Sequence, residues 1–159
     1  MTIAARVETV LHDHGAQFKL ISHRATGSTH ESAEAAHVRD DHIAKAVVVR
    51  DGEDRALVVI PGDTWVDLKA LANETARTYV LDVESDLGQL FPDCEPGAVP
   101  LFGFAYGLET FLDEALRSLA AIYFEAGDHT HLVRVNGETF TKLMAGVRHG
   151  RFGKSSSTD

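Results

Sequence analysis

Apolar and polar positions along the chain change period several times, and each change predicts an element. Ile3, Val7, Val10 and Leu11 recur at helical spacing up to Gly15, which predicts an amphipathic helix stopped by glycine. Residues 18–21 then read as a short strand. Ser28-Thr29-His30-Glu31 matches a capping box, because Ser28 can accept from the backbone three residues on while Glu31 reaches back, so a short helix through Ala36 is expected. Residues 47–50 and 55–60 are two β-rich runs around Asp51-Gly52-Glu53-Asp54, the composition of a hairpin turn. Pro61-Gly62 ends the second run. Asp63 or Thr64 is then expected to cap a helix whose apolar side is Val66, Leu68 and Leu71.

Residues 78–81 predict another strand, and Leu87, Leu90 and Phe91 a short helix broken by Pro92. Residues 92–103 hold three prolines and two glycines, too many for an element interior, and predict a shaped loop. Strands are expected over 109–112, 121–124 and 131–135, with Gly127-Asp128 as a turn between the last two. Asn136-Gly137 leads into a final helix carrying Phe140, Leu143 and Met144. Strands and helices interleave, yet one strand pair is a hairpin, so the fold class is α/β with α+β character and a mixed sheet.

Within that pattern Lys45 is the informative residue. Apolar side chains fill both alternating faces of residues 44–49, so the strand reads as buried on two sides and a lysine entering it loses much of its water. Burial disfavours its charged form and a nearby anion favours it. Such an amine is tuned for proton chemistry or held ready for a negative group, unless it snorkels out at the strand end.

A chain of 159 residues with 44% apolar and 25% charged positions fits one compact domain. Nothing in it approaches the run of about 18 apolar residues that a membrane helix needs, and residues 1–6 open an amphipathic pattern instead of an export signal. The expected compartment is the cytoplasm. Cys94 is the single cysteine, which excludes an internal disulfide and a thiolate zinc cluster. A net charge of -9 argues against broad, nonspecific nucleic-acid binding and leaves room for a small local contact. Arg148, His149, Arg151 and Lys154 cluster before a polar end, which reads as a frayed, solvated terminus.

Nine histidines raise a metal hypothesis that the spacings do not favour. His30-Glu31 opens like a zinc-protease signature, but Glu34 stands where its second histidine belongs. His30, Glu34 and His37 share a helical face, for which a solvated surface is the simpler account. His129 and His131 share a strand face only if both lie in the strand. Cys94 has Glu95 beside it and no local cation, so it is expected to be a packed residue and not a nucleophile. No Gly-x-Ser-x-Gly elbow, phosphate-binding Gly-Lys-Ser loop or dinucleotide glycine fingerprint occurs. Neither a metal nor another cofactor is expected.

Several segments taken in order resemble the YbaK family of aminoacyl-tRNA deacylases, which also occurs as the editing insertion of bacterial prolyl-tRNA synthetases. They are residues 29–36, His42-Ile43-Ala44-Lys45-Ala46-Val47-Val48-Val49, Val59-Ile60-Pro61-Gly62-Asp63, Gly97-Ala98-Val99-Pro100 and Ala126-Gly127-Asp128-His129. The resemblance implies a single domain over residues 1–150 with a strongly curved mixed sheet flanked by helices, followed by a polar tail at 151–159. It implies hydrolysis of the ester joining a wrong amino acid to the 3′ end of tRNA, with a small amino acid such as alanine on proline tRNA as the expected substrate. Lys45 matches the family's functional lysine. Gly97, Ala98, Val99, Pro100 and Leu101 match its substrate-cradling loop, and His129 matches a histidine near the pocket. The chain departs from the family's pattern in two places: Leu101 stands where many members have proline, and Ala46 where many have threonine or serine. Leu101 is expected to alter loop rigidity and pocket size.

An aminoacyl ester is already activated, so positioning its carbonyl and stabilising the developing oxyanion suffice, and no protein nucleophile is required. A pocket lined by apolar groups separates small from large side chains by exclusion. The expected partners are the 3′ end of mischarged tRNA and, beyond it, an aminoacyl-tRNA synthetase, with neither DNA nor membrane. Two alternatives stand beside this reading. One is a noncatalytic module that binds tRNA ends or a synthetase, and the other is a metal-dependent hydrolase using histidines.

Overall fold

A computed structural model describes residues 3–83 and 87–155. Met1 and Thr2 of the N-terminal pattern and residues 156–159 of the expected tail lie outside the described residues. The helices are α1 (Ala5–Asp13), α2 (Thr29–Ala36), α3 (Leu68–Thr75) and α4 (Gly137–Leu143). The strands are β1 (Lys19–Ser22), β2 (Ala44–Asp51), β3 (Asp54–Pro61), β4 (Trp65–Val66), β5 (Val80–Leu81), β6 (Glu109–Asp113), β7 (Ala121–Glu125), β8 (His131–Asn136), β9 (Arg148–Gly150) and β10 (Gly153–Lys154).

The hairpin of β2 and β3 organises the molecule. Asp51 pairs with Asp54, leaving Gly52-Glu53 as a two-residue turn with Gly52 at φ +64°, a conformation glycine adopts without strain. Around the hairpin lies a five-stranded mixed sheet in the order β5-β2-β3-β6-β9, with β6 parallel to β3 and β9 parallel to β6. An antiparallel sheet in the order β1-β8-β7 stands beside it, and a bridge between Ile43 and Tyr123 joins the two. The α/β mixed class is therefore as expected.

Period-two alternation sends successive residues of β3 to opposite faces, and both faces are covered. Leu57 and Val59 enter the main core with Val7, Val10 and Leu11 of α1, Phe124 of β7 and Phe140 of α4. Ala56, Val58 and Ile60 enter a second core with Leu71 of α3, Tyr79, Phe111 and Phe152. A third, smaller cluster of Ala33, Ile43 and Leu132 seats α2 over the junction of the two sheets. The hollow that matters lies at this junction.

Two expectations are corrected. Asp63 and Thr64 do not cap a helix. The Thr64 hydroxyl donates to the Pro61 carbonyl at 2.8 Å, Trp65–Val66 forms β4 against β10, and Asp67 is the cap, accepting from the Ala70 N–H at 3.0 Å. The basic cluster near the C-terminus is not frayed either. Arg148 and His149 lie in β9, Lys154 lies in β10, and Phe152 between them is 0% exposed. One buried carboxylate explains this anchoring: Asp113 accepts from the backbone of Ala115, Phe152 and Gly153 at 2.8, 2.9 and 2.6 Å.

Candidate active site

The capping box that opens α2 forms nearly as expected. Ser28 accepts from the Glu31 N–H at 3.1 Å, while the Glu31 carboxylate reaches back to the N–H of Gly27, also at 3.1 Å. The helix N-terminus is thereby fixed above the start of β2. Beneath it opens a cavity of about 170 Å³, lined by residues 27–29, Ser32, residues 43–46, residues 97–99, Glu125, His129 and Leu132. The floor is the sheet junction, one wall is α2, and the opposite wall is the loop at Gly97.

Lys45 is the second residue of β2 and pairs with Ile60. It is half-buried, and its amine donates to the Gly62 carbonyl at 3.2 Å. Gly62 can sit there because it lacks a side chain: a Cβ would lie 2.7 Å from the Asp40 carbonyl oxygen and 3.1 Å from Thr29. Burial pulls the Lys45 amine below the ordinary lysine range, and Asp63 and Asp40 pull in the opposite direction. The indole of Trp65 covers it, with the amine 5.9 Å from the ring centroid. This lysine does not snorkel free. It is a partly desolvated cation held at the cavity edge.

Gly97 has φ +84°, a backbone that side chains disfavour. A Cβ there would meet the His129 ring at 3.6 Å, an ordinary contact, so conformation and not space explains the glycine. His129 is itself left-handed, with φ +64°, and lies in the turn before β8. The strand-sharing arrangement with His131 is therefore not realised. His131 bonds Asp128 at 2.8 Å instead. The Nε2 of His129 lies 2.7 Å from the Pro96 carbonyl, which can only accept, so that nitrogen carries a proton. Nδ1 faces the Glu125 carboxylate at 3.6 Å. His129 thus clamps the loop before Gly97 to the turn between β7 and β8.

Lys45, Gly97, Ala98, Val99 and His129 are brought together around one cavity. Pro100 and Leu101 are not part of its lining. Leu101 is 1% exposed and packs in the main core, so it can act on the cavity only through its neighbours in the loop. Residues 100–103 are buried in succession, so the loop dives into the core directly after Val99.

Sequence reasoning did not single out Glu125. It ends β7, whose alternation puts Ile122 and Phe124 in the core and Glu125 on the half-buried face. Burial pushes its carboxyl above the usual carboxylate range, partly offset by the Gly127 N–H, which donates to it at 3.2 Å, and by His129. Ser32 was also missed. A buried serine inside a helix needs a partner, and its hydroxyl shares a 2.6 Å hydrogen bond with Thr26.

The other chemical candidates go elsewhere. His30 bonds Asp40 at 2.8 Å, which holds its imidazole above the ordinary range, and His37 takes the left-handed position that ends α2. Among the described residues no three His, Cys, Asp or Glu side chains converge as metal ligands. The Cys94 thiol is pushed up to about 12 by burial and by Asp93. No helix among the described residues is long and apolar enough to cross a membrane.

Solved proteins share this fold. The fold matches that of a hypothetical protein (TM-score 0.81, 20% identity, 94% of this chain and 99% of that one). It also matches a candidate trans-editing enzyme for prolyl-tRNA synthetase (TM-score 0.78, 22% identity, 95% of this chain and 96% of that one). A candidate signal transduction protein from Marinobacter aquaeolei contains the same fold within a longer chain (TM-score 0.74, 18% identity, 93% of this chain and 30% of that one). No curated protein is significantly similar in sequence. The family model described as the aminoacyl-tRNA editing domain matches residues 23–143, a span that includes Lys45, Gly97, Glu125 and His129. The chain belongs to the aminoacyl-tRNA editing domain family.

Proposed function

We propose that this chain is a deacylase that acts in trans on mischarged tRNA in the cytoplasm, hydrolysing the ester of a small amino acid, with alanine on proline tRNA as the first substrate. One observation carries the reading. A desolvated lysine, a left-handed glycine loop and a histidine clamp border one small cavity in a chain of the editing family. The likeness to a candidate trans-editing enzyme for prolyl-tRNA synthetase supports the choice of tRNA.

The acyl group enters between α2 and the loop. The Ala98 N–H already donates to the Glu95 carbonyl at 3.0 Å, which leaves Gly97 and Val99 as the loop amides to face an ester carbonyl. Their dipoles stabilise the oxyanion as water adds to the carbonyl carbon. The bond to the ribose oxygen then breaks, and that oxygen takes up a proton. Lys45 holds the ribose or the terminal phosphate, so it favours the productive pose without entering a covalent bond. Ile43, Ala98 and Leu132 close the cavity to longer side chains. No metal or cofactor is assigned a step. With Lys45 as the cation at the cavity edge and a net charge of -9 over the chain, tRNA affinity should be modest and salt-sensitive.

The test is amino acid release from a panel of proline tRNAs carrying alanine, serine, cysteine or proline. Rapid loss of alanine and retention of proline is the expected result. Failure to deacylate any of them contradicts the proposal.

A further inference from the structure

Trp65 is the single tryptophan of the chain, and it is 48% exposed although its neighbour Val66 is buried. A scattered surface aromatic needs no explanation by itself. This one is placed. It lies in β4 opposite Lys154 of β10, and its ring covers the amine of Lys45 at 5.9 Å from the centroid. Lys45 lines the cavity, so the indole stands one side chain away from it. The other exposed aromatic side chains among the described residues, Phe18 and Phe104, border different hollows that share no residue with this one.

The geometry of the ligand now constrains what Trp65 meets. In an aminoacyl-tRNA the acyl group hangs from the ribose of the terminal adenosine. With the acyl group in the cavity and the ribose at its edge, the adenine lies outside, one sugar from Lys45. An exposed aromatic face there offers what a base needs, because every base has a π-face and stacks without requiring hydrogen-bond readout. We propose that Trp65 is the stacking platform for the terminal adenine of the substrate, set beside Lys45 so that base and ester are bound at a fixed spacing. This inference rests on the cavity being the ester site.

The experiment uses the full chain. Because there is one tryptophan, fluorescence excited selectively at tryptophan and not at the three tyrosines reports on Trp65 alone. The probe is an acceptor-stem minihelix bearing alanine through a hydrolysis-resistant amide on its terminal adenosine, and the control is the same minihelix with an abasic terminal ribose. Saturable quenching by the first and not by the second is expected, and equal quenching by both overturns the proposal. In deacylation kinetics Trp65→Leu, which keeps an apolar side chain without an aromatic face, is expected to raise KM about tenfold with kcat within about twofold. Trp65→Phe should restore most of the loss, and the ratio of the Trp65→Leu and wild-type KM values should stay constant as salt is raised. An unchanged KM for Trp65→Leu, with wild-type deacylation intact, overturns the platform and leaves the deacylase assignment standing. If wild type hydrolyses nothing but base-dependent quenching persists, the deacylase assignment falls and the platform stands.

Discussion

The segment from Gly97 to Gly103 is one continuous loop, and its two halves do different work. Residues 97–99 border the cavity, with Gly97 exposed and left-handed, whereas Leu101 and Phe102 are fully buried and Phe102 stacks edge-on against Phe124 at 5.5 Å. The second half is core, and the first half lies at the boundary between core and cavity, with Ala98 buried and Val99 packed against the main core. The lesson is that a cavity-lining loop can be held in place without secondary structure when its continuation is anchored by packing. His129 secures the other end through the Pro96 carbonyl.

Substitutions separate the halves. Phe102→Ala removes a fully buried ring and should cost about 3–5 kcal/mol in denaturant unfolding, and Leu101→Ala about 2–5 kcal/mol. Both should leave the turnover of the remaining folded molecules and the preference for alanine intact. A change in preference for Leu101→Ala without loss of stability would place Leu101 at the cavity after all. Gly97→Ala should do the reverse. It forces alanine into a left-handed backbone at about 1–2 kcal/mol, and because the strain falls where the carbonyl is held, deacylation should drop about tenfold.

A subtler contrast lies between two groups near the loop that burial perturbs in different settings. Glu125 faces the cavity and has a raised folded-state pKa, so its contribution to stability is complete below the ordinary glutamate range and is lost as pH rises through the raised value. Glu125→Gln keeps an acceptor for the Gly127 N–H. It should match wild type in Tm at pH 4 and exceed it slightly at pH 8, and equal Tm values at both pH values would remove burial of an ionised carboxylate from the account. Cys94 is closed in beside Asp93 and Tyr106. With its thiol pushed up to about 12, labelling by a disulfide reagent at pH 8 should be slow and should accelerate on unfolding in urea.

Much of this arrangement is legible in the chain because the signals are local. Ser28 and Glu31 mark the start of α2, Asp51-Gly52-Glu53-Asp54 marks the hairpin, and apolar residues on both faces around Lys45 mark an amine that must be partly desolvated. What is not legible depends on distant partners. Asp63, Thr64 and Asp67 are equally good caps by composition, and only the pairing of Trp65–Val66 with Gly153–Lys154 selects Asp67. The same pairing, with the Asp113 carboxylate, holds a C-terminal segment that composition alone assigns to solvent. Alternation along β7 places Glu125 on the half-buried face, but nothing in the sequence shows that this face meets α2 across a cavity. For Leu101 the motif fixes its place in the loop, and the core decides which way it points.

The most direct test compares wild type and Lys45→Ala in the release of alanine from alanyl-tRNA specific for proline, with circular dichroism to show that both are folded. The expected result is a folded variant whose rate falls about 100-fold or more, as when a positioned charge-stabilising group is removed from an active site. A folded Lys45→Ala protein that releases alanine at the wild-type rate would contradict the assignment of this cavity as the place where the ester is cleaved.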